Sequence, residues 1–236
     1  MGTARRGRGL SGRTPVLLAW SGGKDAAWTL HVLRQRTDVD VVGLLTTVTR
    51  EHQRVSMQGI RRSVLHAQAR AAGLPLIEAM IPAQCANADY ETAMASALAE
   101  AAARWPGLRT MAFGDLFLED IRAYRVQNLA RIGWEVMTPL FGADTGVLAR
   151  EMLAGGLRAR LCCVDTQQLD ARFAGRTFDE TLLGELPGSV DPCGENGEFH
   201  TCVWAGPMFA APLALAPGGT ELRDGRFAFT DYAMPD

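Results

Sequence analysis

The chain has 236 residues, 47% hydrophobic and 21% charged, which suits a globular protein with a sizeable core, and no apolar run approaches the roughly 18 residues that a bilayer crossing needs. The formal charge of −2 hides an acidic body, because residues 1–13 hold four arginines and no acid and the remainder carries −6; a general nucleic-acid-binding surface is therefore disfavoured. Five cysteines without a CxxC pair support neither a zinc knuckle nor a disulfide framework, so a reducing cytoplasm is the expected compartment.

The first 13 residues are basic with no apolar segment behind them and read as a disordered tail rather than a secretory signal. "VLLAW" (16–20) is a short apolar run suited to a buried parallel strand. A helix follows from Asp25 to Arg34, then a strand over 40–48. Residues 58–72 have helical period and stop at Gly73. A strand is expected over 74–81, a helix over 89–104 and a strand over 110–115. The next helix runs over 120–133, with Asp120 at its N-terminus. This alternation predicts βαβ units and a mainly parallel, Rossmann-like α/β sheet covered on both faces. Beyond residue 140 the pattern changes. A helix capped by Asp144 or Thr145 (144–156), a strand (158–169), a polar helix-like piece to Pro187 and a loop plus strand (190–209) predict a smaller α/β lobe. The last 20 residues carry no clear signal.

Lys24 is the only lysine in the chain; the other basic side chains are 23 arginines. It ends "SGGK", between the first strand and the first helix, a layout that holds phosphate. Gly22 and Gly23 let backbone N–H groups face a ligand, the helix start adds unpaired donors, and Ser21 and Lys24 add a hydroxyl and a charge. The spacing is not that of a Walker loop, which needs a glycine five residues before Gly23 and a serine or threonine after the lysine. Lysine is a compact charge on a thin stem and guanidinium a wide fork, so a lysine kept in an arginine-rich chain points to a narrow site.

"SGGKDA" resembles the pyrophosphate loop of the ATP pyrophosphatases, with Ala26 where their motif ends in serine. Residues 113–161 resemble the central block of the diphthine–ammonia ligase family within that group. "DPCGENGEFHT" (191–201), followed by "GPMF" (206–209), resembles its C-terminal signature, with Asn196 in place of a glycine. The resemblance covers roughly residues 15–210. It implies an adenine nucleotide alpha-hydrolase-like three-layer sandwich: a nucleotide-binding domain over 14–140 and a smaller substrate lobe over 141–236. The implied activity is ATP-dependent amide ligation, in which a carboxylate is adenylated and ammonia displaces AMP.

The resemblance also assigns roles. Ser21, Gly22, Gly23 and Lys24 would bind phosphates, and Asp25 would hold Mg²⁺ or cap its helix. Thr46, at the end of the second strand, would line the adenosine pocket. Asp115 and Arg125 would face metal, phosphate or carboxylate. Glu195, Glu198 and His200 would act beside Lys24 and Asp25 in catalysis; on an extended segment Glu198 and His200 share a face and could orient ammonia and take its proton. Cys193, between Pro and Gly, reads as a packing residue. The expected partners are ATP, a small-molecule or protein carboxylate and ammonia, with a homodimer as a candidate assembly. Two other readings stay open: a tRNA-modifying enzyme of the same fold, and a non-catalytic ATP-binding sensor, which Ala26 keeps alive. The lysine-poor, alanine- and arginine-rich composition suggests a GC-rich bacterial source, so the reaction class is better indicated than diphthine itself.

Overall fold

A computed structural model describes residues 12–235; most of the predicted basic tail lies outside the described residues. The chain runs β1 (Thr14–Ala19), α1 (Lys24–Gln35), β2 (Val39–Thr49), β3 (Arg54–Val55), α2 (Arg62–Ala72), β4 (Leu76–Ile81), α3 (Asn87–Arg104), β5 (Thr110–Ala112), α4 (Glu119–Ala130) and β6 (Glu135–Met137). These six strands form one sheet. β1 pairs in parallel with β2 and β5, β2 with β4, and β5 with β6. Because Leu44 and Leu45 of β2 face β1 on one side and β4 on the other, the parallel order is β4-β2-β1-β5-β6. The chain winds outward from β1 in one direction and then returns to the other side, so the order reverses between β1 and β5. Open α/β sheets bind ligands beyond the carboxyl ends of the strands at such a point.

Alternate residues of β1 serve two cores. Val16 and Leu18 pack with buried residues of α1 and α2, among them Leu30, Leu33, Val64 and Leu65, while Leu17 packs with Ala97, Leu98 and Ala101 of α3 and Leu129 of α4. The result is a Rossmann-like three-layer sandwich. Helix 58–72 was read too long: α2 begins only at Arg62, because the chain before it turns back and Arg61 bridges to Arg54, while Arg54–Val55 pairs antiparallel with Val48 and Thr49 on the flank of β2 beyond the point where β1 has ended. Asp120 sits in the first turn of α4 and does not cap it; Leu118 holds the cap position, with no side-chain hydrogen bond.

The rest of the chain forms α5 (Thr145–Ala154), β7 (Arg158–Asp165), a 3-10 turn at Ala171–Phe173, β8 (Thr177–Phe178), α6 (Glu180–Glu185), β9 (Phe199–Ala205), β10 (Ala216–Arg223) and β11 (Phe227–Ala233). Asp144 caps α5, accepting from Val147 N at 2.8 Å. β7 pairs antiparallel with β9 on one edge and with β8 and β11 on the other, and β10 completes a hairpin with β11. This second, antiparallel sheet contacts α1 through β9 and α2 through β11. One apolar core therefore runs from Val16 and Leu18 through the two helices to Leu161, Val203 and Tyr232.

Candidate active site

A cavity of about 270 Å³ opens at the carboxyl edge of β1, β2 and β5. Its walls come from both sheets. Ser21, Gly23, Lys24 and Asp25 come from the loop and α1, Thr46 from β2, Ser56 from beside β3, Asp115 from behind β5, Arg125 from α4, and Cys193, Glu195 and His200 from the C-terminal part.

The loop is shaped by close packing. Gly22 has φ +80°, and a Cβ there would lie 2.7 Å from Gln68 Oε1. Gly114, just beyond β5, is equally constrained, since a Cβ would meet the Asp25 carbonyl carbon at 2.9 Å; only glycine lets the strand end run against the start of α1. Helix α1 has no side-chain cap of its own at Gly23. Thr201, on β9, supplies the missing acceptor: Lys24 N donates to its Oγ1 at 3.0 Å. A strand of the second sheet thus caps the helix that opens the first loop.

Lys24 is buried, 2% exposed. Its ammonium donates to Asp25 Oδ2 at 2.9 Å and to the Cys193 carbonyl, and it lies 5.8 Å from the ring centre of Phe178 and 5.5 Å from that of Phe199. Burial opposes the charge, but Asp25, aided by Glu195, holds the lysine pKa above its ordinary value. Lys24 is therefore a cation at neutral pH, in a slot narrow in the way its residue type suggested.

Three carboxylates converge opposite it. Burial pushes Asp25 upward against the pull of Lys24, and pushes Asp115 upward against Arg125, whose NH1 donates to Asp115 Oδ1 at 2.5 Å. Glu195 accepts from Leu116 N at 2.8 Å. Burial, reinforced by Asp25 and Asp115, carries its pKa up to about 7. His200 goes the other way, to about 4, through burial and the nearby Lys24, so its imidazole is neutral at pH 7. A carboxyl group titrating near neutrality in the wall of a cavity can accept and return a proton, and the neutral His200 imidazole lines the same cavity.

The residues singled out from sequence do not all reach the cavity. Ser21, Gly23, Lys24, Asp25, Thr46, Asp115, Arg125, Glu195 and His200 line it; Gly22 and Glu198 do not. Gly22 turns its carbonyl to Val203 N at 3.0 Å. Glu198 is 2% exposed, and its Oε1 accepts from Asp191 N at 2.8 Å and Asn196 Nδ2 at 3.1 Å. It braces the turn that carries Cys193 and Glu195. Sequence reading missed Gln68, a buried amide on the apolar face of α2; the visible signal was a polar residue in helical phase with Val64, Leu65 and Ala72. It also gave Thr201 no role, and it passed over Tyr90 and Met94 of α3, which form part of the wall.

The asymmetric switch point, the glycine loop and the convergent carboxylates define a Rossmann-like α/β protein with a ligand site at the carboxyl edge of its sheet. Family models named diphthamide synthase N-terminal domain and C-terminal domain match residues 13–131 and 144–223 respectively. The chain belongs to the diphthamide synthase family. Diphthine–ammonia ligase of Schizosaccharomyces pombe is 26% identical over 217 residues, covering 85% of this chain and 36% of that protein; the chain spans little more than a third of its relative's length.

Proposed function

We propose that this chain is an ATP-dependent, AMP-forming carbon–nitrogen ligase, with residues 14–140 binding the nucleotide and residues 141–236 presenting the acceptor. The observation that carries the reading is the convergence on one cavity of a glycine loop at the β1/β5 switch point and a near-neutral carboxyl group, Glu195, from the turn that leads into β9. Its relative is named for an ammonia ligase.

In this reading Ser21, Gly23 and Lys24 face the phosphates and Thr46 faces the nucleoside. The cavity's charged groups are two cations, Lys24 and Arg125, against the carboxyl groups of Asp25, Asp115 and Glu195. That balance offers a triphosphate little net attraction, so a divalent cation should accompany it. The donor set fits such an ion. Asp25 Oδ1 and Asp115 Oδ2 are buried without hydrogen-bond partners, and among the described residues no cluster of three or more His, Cys, Asp or Glu forms a self-sufficient metal site. Mg²⁺ is commonly held by one or two carboxylates with substrate phosphates completing its shell. When bound by Asp25 and Asp115, Mg²⁺ would neutralise developing phosphate charge.

Catalysis then rests on positioning. Lys24 holds the phosphate side through its loop and the acceptor side through the Cys193 carbonyl. Arg125 steadies Asp115. Glu195, which titrates near neutrality, takes the proton from nitrogen as it attacks the adenylated carboxyl carbon and AMP departs, and the neutral His200 lines the same cavity. The amide nitrogen comes from ammonia, and the acceptor is a carboxylate whose carrier, small molecule or protein, is open.

Phosphorus NMR of purified protein with ATP, Mg²⁺, ammonia and a pool of carboxylic acids tests this. AMP and pyrophosphate formed in a carboxylate-dependent way support the ligase. ATP bound and left intact shifts weight to a nucleotide sensor, the reading that Ala26 keeps open. ADP and phosphate would overturn the loop assignment.

A further inference from the structure

Gln68 is fully buried on α2, and its carboxamide makes three contacts at once. Oε1 accepts from Trp20 Nε1 at 3.2 Å, and Nε2 donates to Gly22 O at 3.0 Å and to Val203 O at 2.7 Å. Both amide hydrogens and the carbonyl are thereby used. The three partners belong to different pieces of the molecule: Trp20 follows β1, Gly22 is in the glycine loop, and Val203 is on β9 of the second sheet. Val203 N also donates to Gly22 O at 3.0 Å, so the Gly22 carbonyl is held from two sides.

That fixes a peptide plane. In a trans peptide the C=O of one residue and the N–H of the next point in opposite directions. With Gly22 O turned to Gln68 and β9, the Gly23 N–H must point the other way. It faces Ser21 Oγ at 3.3 Å, and both Ser21 and Gly23 line the cavity that Gly22 does not. Glycine at φ +80° has little intrinsic preference to keep that orientation.

We propose that Gln68 is a positioning residue which locks the Gly22–Gly23 peptide with its N–H toward the cavity, and that it ties phosphate binding to the placement of the second sheet. This rests on the nucleotide reading given above. No other neutral side chain of that reach donates twice and accepts once. Methionine fills the space and does neither; glutamate keeps the acceptor for Trp20 but sets oxygen against two carbonyls.

The test is calorimetric binding of magnesium pyrophosphate and, separately, of AMP to wild-type protein, to Gln68→Met and to Trp20→Phe. Leu108→Ala, a core change before β5 at the opposite edge of the sheet, is the control for general destabilisation. Gln68→Met should weaken pyrophosphate by about tenfold or more and leave AMP within about twofold. The Gly23 amide resonance should lose its pyrophosphate-induced shift. Trp20→Phe, which deletes one of the three contacts but keeps an aromatic ring in the cavity wall, should show about a threefold loss in the same pattern, and none in the Gln68→Met background. If Gln68→Met does not fold, Trp20→Phe carries the test alone. Pyrophosphate affinity kept by the folded variants, or pyrophosphate and AMP falling together as in Leu108→Ala, overturns the positioning role. Wild-type protein that binds neither ligand overturns the nucleotide reading and this proposal with it.

Discussion

The two faces of the parallel sheet are built to different standards. On one, α1 and α2 bury most of their length against β1 and β2 and are covered in turn by the antiparallel sheet. On the other, α4 buries only Leu129 and leaves Ile121, Tyr124 and Val126 43–45% exposed. The proposed phosphate loop belongs to the first face, where Thr201, Val203 and Gln68 hold it. Arg125 and Tyr90 reach the same cavity from the second. A site assembled this way has one rigid wall and one with few contacts to restrain it, and the restrained wall is the one on which charge must be placed accurately.

The contrast is sharpest in stability. Leu65→Ala, on the fully buried side of α2, should cost about 3 kcal/mol through lost burial and the cavity left behind. Ile121→Ser on α4 should change stability by no more than about 0.5 kcal/mol. Urea unfolding of both reads the difference; similar losses would mean that the two faces are equally committed to the core.

Next in size is Lys24→Arg. The guanidinium is wider than the ammonium that lies against the Phe178 and Phe199 pair with the Cys193 carbonyl and Asp25 as acceptors. Forcing it in should cost about 2 kcal/mol and weaken ATP binding although the charge is kept. Unchanged melting and unchanged ATP affinity together would show that the rigid wall has room to spare.

Much of this contrast could be read from the chain, and the failures have physical causes. The longer parallel strands β1, β2 and β4 are rich in apolar residues because both their faces are buried, and those runs, alternating with helical segments, locate them. Strands β3, β6 and β8 are two or three residues long, too short for a run to stand out; β5 is as short and was found because Phe113 and Gly114 extend its apolar run to a clear stop. The β10–β11 hairpin was legible and missed. Asp224 and Gly225, both at positive φ, open the three-residue connection between the paired Arg223 and Phe227, and β11 alternates between buried and part-buried residues; an Asp-Gly pair before such alternation is a strong hairpin signal. β10 is exposed nearly throughout and opens with Pro and Gly, which hid the partner. In the site, residues chosen for charge and motif were mostly found at the cavity. The ones not chosen, Gln68 and Thr201, act through hydrogen bonds to backbone 46 and 177 residues away, which a motif does not encode.

The proposed general base adds a pH test across the two sheets. Glu195 has its pKa raised to about 7, so the fraction able to take a proton grows as pH rises through neutrality. With the free ammonia concentration held constant, amide formation should climb by about an order of magnitude between about pH 6 and 8 and then level. The same shift fixes the sign for stability: a carboxyl whose folded pKa is raised stabilises the fold below its unfolded pKa, and that contribution disappears as pH rises to about 7. Glu195→Gln should flatten both curves. A rate that keeps its midpoint in this variant assigns the titration to another group.

The smallest effect expected is at Glu198, and it separates support from chemistry. Both contacts of its Oε1, to Asp191 N and Asn196 Nδ2, need only an acceptor, which the amide oxygen of glutamine also supplies. Glu198→Gln should therefore hold stability within about 1 kcal/mol and leave ATP affinity unchanged. It should lower amide formation by only a few-fold, because Glu198 acts through the turn that places Glu195 and the Cys193 carbonyl. Glu198→Leu, which removes the acceptor and leaves the Asp191 N–H without it, should lower the rate further while the pH midpoint stays near that of wild type. A loss at Glu198→Gln as large as that at Glu195→Gln would move Glu198 from the brace to the reacting atoms, and a loss of ATP affinity would move it into the nucleotide site.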